Sequence, residues 1–166
     1  MILRRDIYRF IAPARASLER GLIQQAWQNI RQHLPEFVGT YIFEELCREW
    51  VLRQGDAGRL PFVPRRVGSF WGTRKPQIDV VAINEDDHAI LLGECKWTAE
   101  PIRKRTVEDF LQRAQQVIPV PVESWHVTYA LFSKSGFTGE ARRAAGEHPC
   151  LWVHFDQMDA DLRQLV

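Results

Sequence analysis

The chain lacks most of the features that mark secreted, membrane and zinc-binding proteins. It contains three cysteines, Cys47, Cys95 and Cys150, and no C-x-x-C pair. An odd number of widely spaced cysteines argues against a disulfide framework and against a cysteine-rich zinc site. No apolar run approaches the roughly 18 residues that a membrane helix needs, and no secretory signal follows the basic start. The sequence therefore predicts a cytoplasmic protein with no membrane contact.

An excess of charge of either sign is also lacking. The 22 lysines and arginines nearly balance the 21 aspartates and glutamates, which gives a formal net charge of +1. Any contact with nucleic acid must therefore come from local basic patches rather than from a global field. No G-x-x-x-x-G-K-[ST] motif is present, so this stretch of chain is not itself a P-loop ATPase.

Length and composition favour one ordinary globular domain. The 166 residues are 45% hydrophobic and 26% charged, with no internal repeat and no Gly/Ser-rich linker. We assign residues 16–166 to a single α/β domain. Residues 1–15 show no clear apolar period, and we interpret them as an N-terminal stub or linker from a larger parent protein.

The spacing of apolar residues predicts the element order α-α-β-β-β-α-β-α-β-α. Helices are predicted over 16–33, 36–53, 106–118, 138–147 and 159–165. Strands rich in β-branched and aromatic residues are predicted over 62–71, 77–84, 88–97, 125–133 and 151–155. Pro35 is expected to end the first helix. This order is typical of an α/β fold in which helices flank a central mixed sheet, here a three-stranded antiparallel meander plus further strands.

Three charged residues interrupt the second and third strands. Asp79 lies in the first of these strands, and Glu94 and Lys96 lie in the second, while the remaining residues of both are apolar on both faces. Strands of that composition are buried on both faces. Buried charges are costly unless they pair with each other, bind a metal or change protonation state, so these three residues are the candidate site.

The hairpin between these strands fixes which residues face each other. If Asp86-Asp87 form a two-residue loop, Glu85 opposes His88 and Asp79 opposes Glu94. Lys96, two residues after Glu94, then projects from the same face about 7 Å along the strand. A loop longer by one residue would make Asp79 and Glu94 diagonal neighbours, which still leaves them close.

Two converging carboxylates suit a hard divalent cation. Asp79 and Glu94, with the backbone carbonyl of Cys95, form a candidate site for Mg²⁺ or Mn²⁺. Such an ion would polarise a phosphodiester and lower the pKa of its bound water. Lys96 would orient or deprotonate that water, or neutralise charge on the phosphate in the transition state.

These motifs resemble the PD-(D/E)xK nuclease superfamily, which carries an acid in one strand and E-x-K in the next. More narrowly, the chain resembles the C-terminal domain of unknown function attached to archaeal-type DExx-box (P-loop) ATPases. The matching segments are Phe43-Glu44, Gln77-Ile78-Asp79-Val80-Val81, Gly93-Glu94-Cys95-Lys96-Trp97 and Phe132-Ser133-Lys134-Ser135-Gly136-Phe137.

The resemblance implies a restriction-endonuclease-like core and a metal-dependent nuclease that cuts DNA rather than RNA. It also implies a P-loop ATPase partner, in the parent protein or in trans, and it adds two residues to the site: Glu44 as a further acid and Gln115 as a supporting residue. One position departs from the narrower family, because Gln77 stands where an acid is usual and no proline precedes Asp79. A second metal at that position is therefore not expected. A homodimer is one option, since nucleases that cut both strands commonly pair.

Structural alternatives exist for the acids. In the first alternative, Glu94 and Lys96, or Asp79 and Lys96, form a buried ion pair inherited from a catalytic ancestor. The domain is then an inactive module that regulates or tethers an ATPase or binds nucleic acid. Glu44 is placed equally well by an ion pair with Arg48 at i+4. Glu45 is the less favoured acid of that helix.

The basic and hydroxyl residues near the predicted site have their own alternatives. Arg74 and Lys75, in the turn before the strand of Asp79, and Lys134 are the candidate phosphate contacts, although paired basic residues are more often solvated surface. Ser133 and Ser135 resemble a Ser/Lys nucleophile pair only loosely. A strand-to-helix turn of small polar residues is ordinarily a turn and helix cap.

Overall fold

The computed structural model describes residues 12–72 and 76–164, and the chain divides into two compact units between Ile42 and Phe43. In its described part the first unit is helical. It contains α1 (Ala12–Glu19), α2 (Ile23–Phe37) and one π-helical turn (Val38–Ile42). The boundary predicted at residue 15 falls inside α1.

The helix predicted over 16–33 is two helices, and the break lies at Gly21 rather than at Pro35. Gly21 has a φ of +74°, a left-handed conformation that favours glycine. Its N–H donates to the Leu18 carbonyl at 3.0 Å, and the Leu22 N–H donates to the Ser17 carbonyl at 2.8 Å. This pair of hydrogen bonds is a Schellman motif, which ends α1. The α2 helix continues through Pro35, so the expectation that Pro35 ends it was wrong.

The second unit holds the sheet and the remaining helices. The helices are α3 (Phe43–Asp56), α4 (Lys104–Gln115), α5 (Gly139–Ala144) and α6 (Phe155–Gln164). The strands are β1 (Arg66–Phe70), β2 (Ile78–Asn84), β3 (Ala89–Lys96), β4 (His126–Ser133) and β5 (Cys150–His154). A 3₁₀ turn, Val122–Ser124, precedes β4. Within the described residues, no helix is both long enough and apolar enough to cross a membrane.

The five strands lie in sequence order, β1-β2-β3-β4-β5. The β1–β2 and β2–β3 pairs are antiparallel, whereas the β3–β4 and β4–β5 pairs are parallel. The predicted meander and the mixed sheet flanked by helices are therefore confirmed. Because α4 connects β3 to the parallel β4, and α5 connects β4 to the parallel β5, the C-terminal half has β-α-β connectivity.

Each face of the sheet packs against its own helices. One buried cluster joins α3 and α6 to one face and includes Cys47, Trp50 and Met158. The other joins α4 and α5 to the opposite face and includes Phe110 and Ala141. The residues of β3 alternate between the two: Leu91 and Cys95 belong to the first cluster, Ile90 and Leu92 to the second. β3 is therefore central, as its sequence predicts.

The β2–β3 turn sets the register of the central hairpin. The His88 N–H donates to the Glu85 carbonyl at 3.3 Å, and the Asn84 side chain accepts from the N–H groups of Asp86 at 3.1 Å and Asp87 at 3.3 Å. These bonds close the loop that the sequence predicts. The register runs from Asn84–Ala89 to Val80–Gly93.

Gly93, next to Glu94 in the chain, lies where no side chain fits. A Cβ at Gly93 would be 2.9 Å from the Val80 Cβ and 3.1 Å from Phe132 Cε2. We expect Gly93→Ala to lower the free energy of unfolding by about 1–3 kcal/mol, because overpacking forces the strands apart. Urea denaturation measures this difference.

Gly68→Ala is the matched control, since a Cβ at Gly68 in β1 meets nothing within 4 Å. It should leave stability within about 0.5 kcal/mol of the wild type. Equal stability of the two variants would show that the β2–β3 spacing does not depend on Gly93.

Candidate active site

The candidate site lies where β2 and β3 stop pairing. The paired register ends at Val80–Gly93, so the predicted placement of Asp79 opposite Glu94 lies one step beyond the last paired residues and stays a prediction. At this point the Cys95 N–H donates to a side-chain oxygen, Asp79 Oδ2, at 2.9 Å. The carboxylate of Asp79 therefore holds the end of β3 through the backbone of Cys95.

The environment of Asp79 disfavours the ionised form of its carboxyl group. It is 7% exposed, and its pKa is raised from 3.8 to about 6, first by burial and then by the negative charge of Glu94. Glu44 raises this pKa further, while the Cys95 N–H and Lys96 lower it. The Gln77 amide donates to Asp79 Oδ1 at a long 3.4 Å. The negative charge of the Asp79 carboxylate is therefore not fully balanced by hydrogen-bond donors and cations in the folded protein.

Glu94 has the opposite environment, although it is also buried, with 3% exposure. Lys96 Nζ lies 2.6 Å from Oε1, and Arg113 Nη2 lies 2.9 Å from Oε2. The Arg113 contact lacks hydrogen-bond geometry, so Oε2 remains a buried oxygen without a hydrogen-bond donor. One carboxylate is thus held between two cations, with acceptor capacity left on one oxygen.

Both interpretations of Glu44 describe part of its environment. Glu44 lies in the first turn of α3, and its Oε2 is 3.5 Å from Arg48 Nη1, the i+4 ion pair predicted as the alternative. Glu44 also contributes to the raised pKa of Asp79. Arg48 in turn donates to the backbone carbonyl of Asp79 at 2.9 Å. Arg48 therefore links the carboxylate of Glu44 to the backbone of Asp79.

Within the described part of the chain, no three acid, histidine or cysteine side chains are grouped as a metal site would require. The proposed ligands are two carboxylates and one backbone carbonyl, and carbonyls fall outside such a grouping. The side chain of Cys95 is a buried thiol. Burial raises its pKa well above the ordinary value, so only the backbone carbonyl of Cys95 is a candidate metal ligand.

Arg113 is the site residue that the sequence did not predict. Besides its contact with Glu94, Arg113 Nη1 donates to the Gln77 carbonyl at 2.8 Å and so links α4 to the start of β2. Gln115, predicted as the supporting residue of this helix, is exposed. Two residues along an α-helix turn the side chain by about 200°, so Arg113 and Gln115 cannot face the same strand. The sequence signal that could have identified Arg113 is its position, as a basic residue, beside the predicted inward-facing residues Phe110 and Ala114 of this helix.

The predicted phosphate contacts are only partly described. Arg74 and Lys75 lie outside the described residues. Lys134 Nζ lies 4.9 Å from the centre of the Trp97 ring, a cation–π contact, and its N–H donates to the Lys96 carbonyl at 3.1 Å. Its role in binding nucleic acid stays a prediction.

The two serines form a turn. Ser133 is fully buried, and its Oγ accepts from the Ser135 N–H at 3.2 Å. The Ser135 hydroxyl donates to the Thr98 carbonyl at 2.6 Å. These contacts fit the turn interpretation of the segment.

The fold and the site together define an α/β domain with a five-stranded mixed sheet and a cluster of two buried acids and a half-buried lysine where β2 and β3 stop pairing. Residues 7–110 match the family described as archaeal and bacterial proteins of unknown function, DUF234. That match covers more than half of the chain, which therefore belongs to this family.

A relative is found in Methanocaldococcus jannaschii, the uncharacterized protein MJECL04. The two are 25% identical over 129 residues, which is 76% of this chain and 28% of the relative. The chain thus spans little more than a quarter of that protein's length. No solved structure matches the chain.

Proposed function

We propose that the domain hydrolyses phosphodiester bonds of nucleic acid, DNA in preference to RNA, with Mg²⁺ or Mn²⁺ at Asp79 and Glu94. This proposal includes the restriction-endonuclease-like core and the PD-(D/E)xK type of site. The observation that carries it is a pair of buried carboxylates, Asp79 and Glu94, whose charges interact where β2 and β3 stop pairing, with Lys96 in contact with Glu94. A buried acid whose charge is not fully balanced, as at Asp79, is typical of functional sites.

The environment of the acids suits a divalent cation. The pKa of Asp79 is raised by burial and by the charges of Glu94 and Glu44, so added positive charge would stabilise its ionised form. Glu94 Oε2 is buried and accepts no hydrogen bond, but it contacts Arg113 Nη2 at 2.9 Å, with which a bound ion would compete. Asp79, Glu94 and the Cys95 carbonyl would hold the ion, and hard oxygen ligands are those that Mg²⁺ and Mn²⁺ take.

When bound, such an ion would polarise the phosphodiester and lower the pKa of a coordinated water. The ammonium group of Lys96 lies at the same site, in contact with Glu94. Because its side chain is 38% exposed, it can reach a substrate from the solvent side. It would donate to a phosphate oxygen as negative charge develops there. Arg113 would keep Glu94 in place after Lys96 moves to the substrate, because it contacts the other carboxylate oxygen.

A second candidate is a non-catalytic module that regulates or tethers a P-loop ATPase, or binds nucleic acid. The observation that favours it is the double ion pair of Glu94 with Lys96 and Arg113. An acid held by two cations can be a purely structural element that no longer needs a metal.

Cleavage assays with variants test the first candidate. Wild-type protein should cut DNA in Mg²⁺ or Mn²⁺, and Asp79→Ala and Lys96→Ala should lose this activity, because each removes one part of the cluster. Asp159→Ala is the matched control, since Asp159 is an acid whose partner is the exposed Arg163 at i+4. RNA and single-stranded DNA are run alongside duplex DNA. Equal cleavage by all four proteins would indicate a contaminating nuclease and remove the enzyme proposal.

Metal titration separates the two candidates without relying on activity. Calorimetry with Mn²⁺ should give a binding heat that disappears in Glu94→Ala and persists in Asp159→Ala. No heat in the wild type would favour the non-catalytic module.

A further inference from the structure

Trp71 is a large aromatic residue that the fold leaves on the surface. It follows Phe70, the last residue of β1, and it is 68% exposed. A tryptophan of the core, Trp50, instead packs its ring against Phe132. Among the described residues, no ring or cation contacts the indole of Trp71, and its one hydrogen bond runs to Ser69. Packing within the domain therefore does not explain this side chain.

The pairing of β1 with β2 places the indole beside Asp79. The register steps from Gly68–Val81 to Phe70–Ile78, with an irregularity between the two pairs. Ser69 is thus the one residue of β1 that stands opposite two residues of β2, the first of which is Asp79. Two residues facing one is the arrangement of a β-bulge. Because Trp71 Nε1 donates to Ser69 Oγ at 2.8 Å, the indole lies against the residue that faces Asp79.

The indole and α3 lie on the same face of the sheet. Val67 packs against the buried cluster that joins α3 to the sheet. Alternate residues of a strand share a face, so Ser69 and Trp71 belong to the face of Val67. From α3, Arg48 donates to the backbone carbonyl of Asp79. The exposed ring and the acid can therefore be reached from one side of the sheet.

The free surface of the indole suits a nucleic-acid base. Its N–H is already bonded to Ser69, so the ring offers an apolar π surface rather than a donor. Bases of any sequence stack on such a ring. Two chain steps of about 3.8 Å and one strand pair of about 5 Å connect Trp71 to Asp79, so their Cα atoms are at most about 13 Å apart. Stacked nucleotides rise about 3.4 Å each, so this distance corresponds to at most about four nucleotides.

We infer that Trp71 stacks on an unpaired base of the strand that the candidate site cleaves, within about four nucleotides of the scissile phosphate. The inference rests on the proposed function for what is bound at Asp79. Inside a continuous duplex, both faces of each base are covered by its neighbours, so an external ring cannot stack there. The substrate class is then DNA with unpaired nucleotides beside the cleaved bond: a single strand, an overhang or a flap.

Three variants of one position separate stacking from a general apolar contact. Trp71→Phe keeps an aromatic ring, Trp71→Leu keeps an apolar side chain without a π face, and Trp71→Ala removes both. Because the side chain is 68% exposed, each variant should melt within about 2 °C of wild type. A strand in which abasic nucleotides replace the normal ones is the matched ligand, since it keeps every phosphate and loses every base.

Fluorescence anisotropy with a short labelled single strand in EDTA measures binding without cleavage. Trp71→Ala and Trp71→Leu should weaken binding by about 5- to 20-fold, and Trp71→Phe by less than about 3-fold. The salt dependence should not change, because no phosphate contact is lost. All four proteins should bind the abasic strand, and a blunt duplex, within about 2-fold of one another.

Three results would overturn the inference. They are equal affinity of wild type and Trp71→Ala for the normal strand, a Trp71→Leu variant that binds like wild type, and no binding by wild type.

The outcomes also separate this inference from the proposed function. Cleavage that requires Asp79 and Lys96, together with unchanged strand binding by Trp71→Ala, would refute only the stacking contact. Trp71-dependent binding of the normal strand in a protein that neither cleaves DNA nor binds Mn²⁺ would keep the stacking contact and refute the hydrolytic proposal.

Discussion

Replacing Asp79 by asparagine is expected to raise the free energy of unfolding by about 3 kcal/mol at pH 8, with no gain at pH 4. The pKa of Asp79 is raised from 3.8 to about 6 in the folded protein, and one pKa unit corresponds to about 1.4 kcal/mol. A raised carboxyl pKa means that ionisation costs folded stability. The cost is absent below pH 4, grows between pH 4 and 6, and is complete above pH 6. Asparagine removes the charge and keeps an oxygen that can accept from the Cys95 N–H.

Urea denaturation of both proteins between pH 4 and pH 8 measures this difference. Asp109→Asn is the control, because Asp109 is an exposed acid paired with Arg105 and should change stability by less than about 0.5 kcal/mol at any pH. A variant that is less stable than wild type at pH 8 would show that the Asp79 carboxylate is already compensated. Stabilisation on removal of an acid would identify a position that is maintained for function at the expense of stability.

The central hairpin could be predicted from the sequence because several independent signals agree. The loop residues Asp86 and Asp87, the strand alternation and the apolar flanks all place Asp79 opposite Glu94. The structure adds the reason that the loop is short, since the Asn84 side chain accepts from the N–H groups of both loop residues. A strand has a period of two, so the register and the face of Lys96 follow from one loop assignment.

The arginine contacts could not be predicted with the same rules. Whether Arg48 or Arg113 reaches the acids depends on how α3 and α4 are rotated on the sheet, and apolar spacing defines that rotation only within a broad stripe. Gln115 is implied by the resemblance alone, and it is exposed about 200° around α4 from Arg113, which contacts Glu94. The break at Gly21 was a local signal, but the apolar period on both sides of it continues and conceals it.

Asp79 and Glu94 differ in the balance of charge around them, even though both are buried. Asp79 receives one backbone N–H at 2.9 Å and is repelled by Glu94 and Glu44. Glu94 contacts two cations, Lys96 and Arg113. Removing each charge should therefore change stability in opposite directions.

Glu94→Gln is expected to lower the free energy of unfolding by about 2–3 kcal/mol at pH 8. Breaking a fully buried ion pair costs roughly 3–5 kcal/mol, because the remaining charge loses its partner. The cost here is smaller, because the side chains of Lys96 and Arg113 are 38% and 32% exposed and water screens part of each charge. Denaturation at one pH, with a double-variant cycle to Arg113→Met, measures the coupling between the two residues.

Glu49→Gln is the control for this comparison, since Glu49 pairs with Arg53 at 2.6 Å on the surface of α3. This substitution should lower the free energy of unfolding by less than about 0.5 kcal/mol.

A Glu94→Gln variant as stable as wild type would mean that Glu94, like Asp79, carries negative charge in excess of its partners. The cluster would then need an external cation to be balanced, which favours the metal-dependent hydrolase. A large loss with strong coupling to Arg113 would mean that the protein already supplies the counter-charge at Glu94, so a metal would have to compete with Arg113 for Oε2.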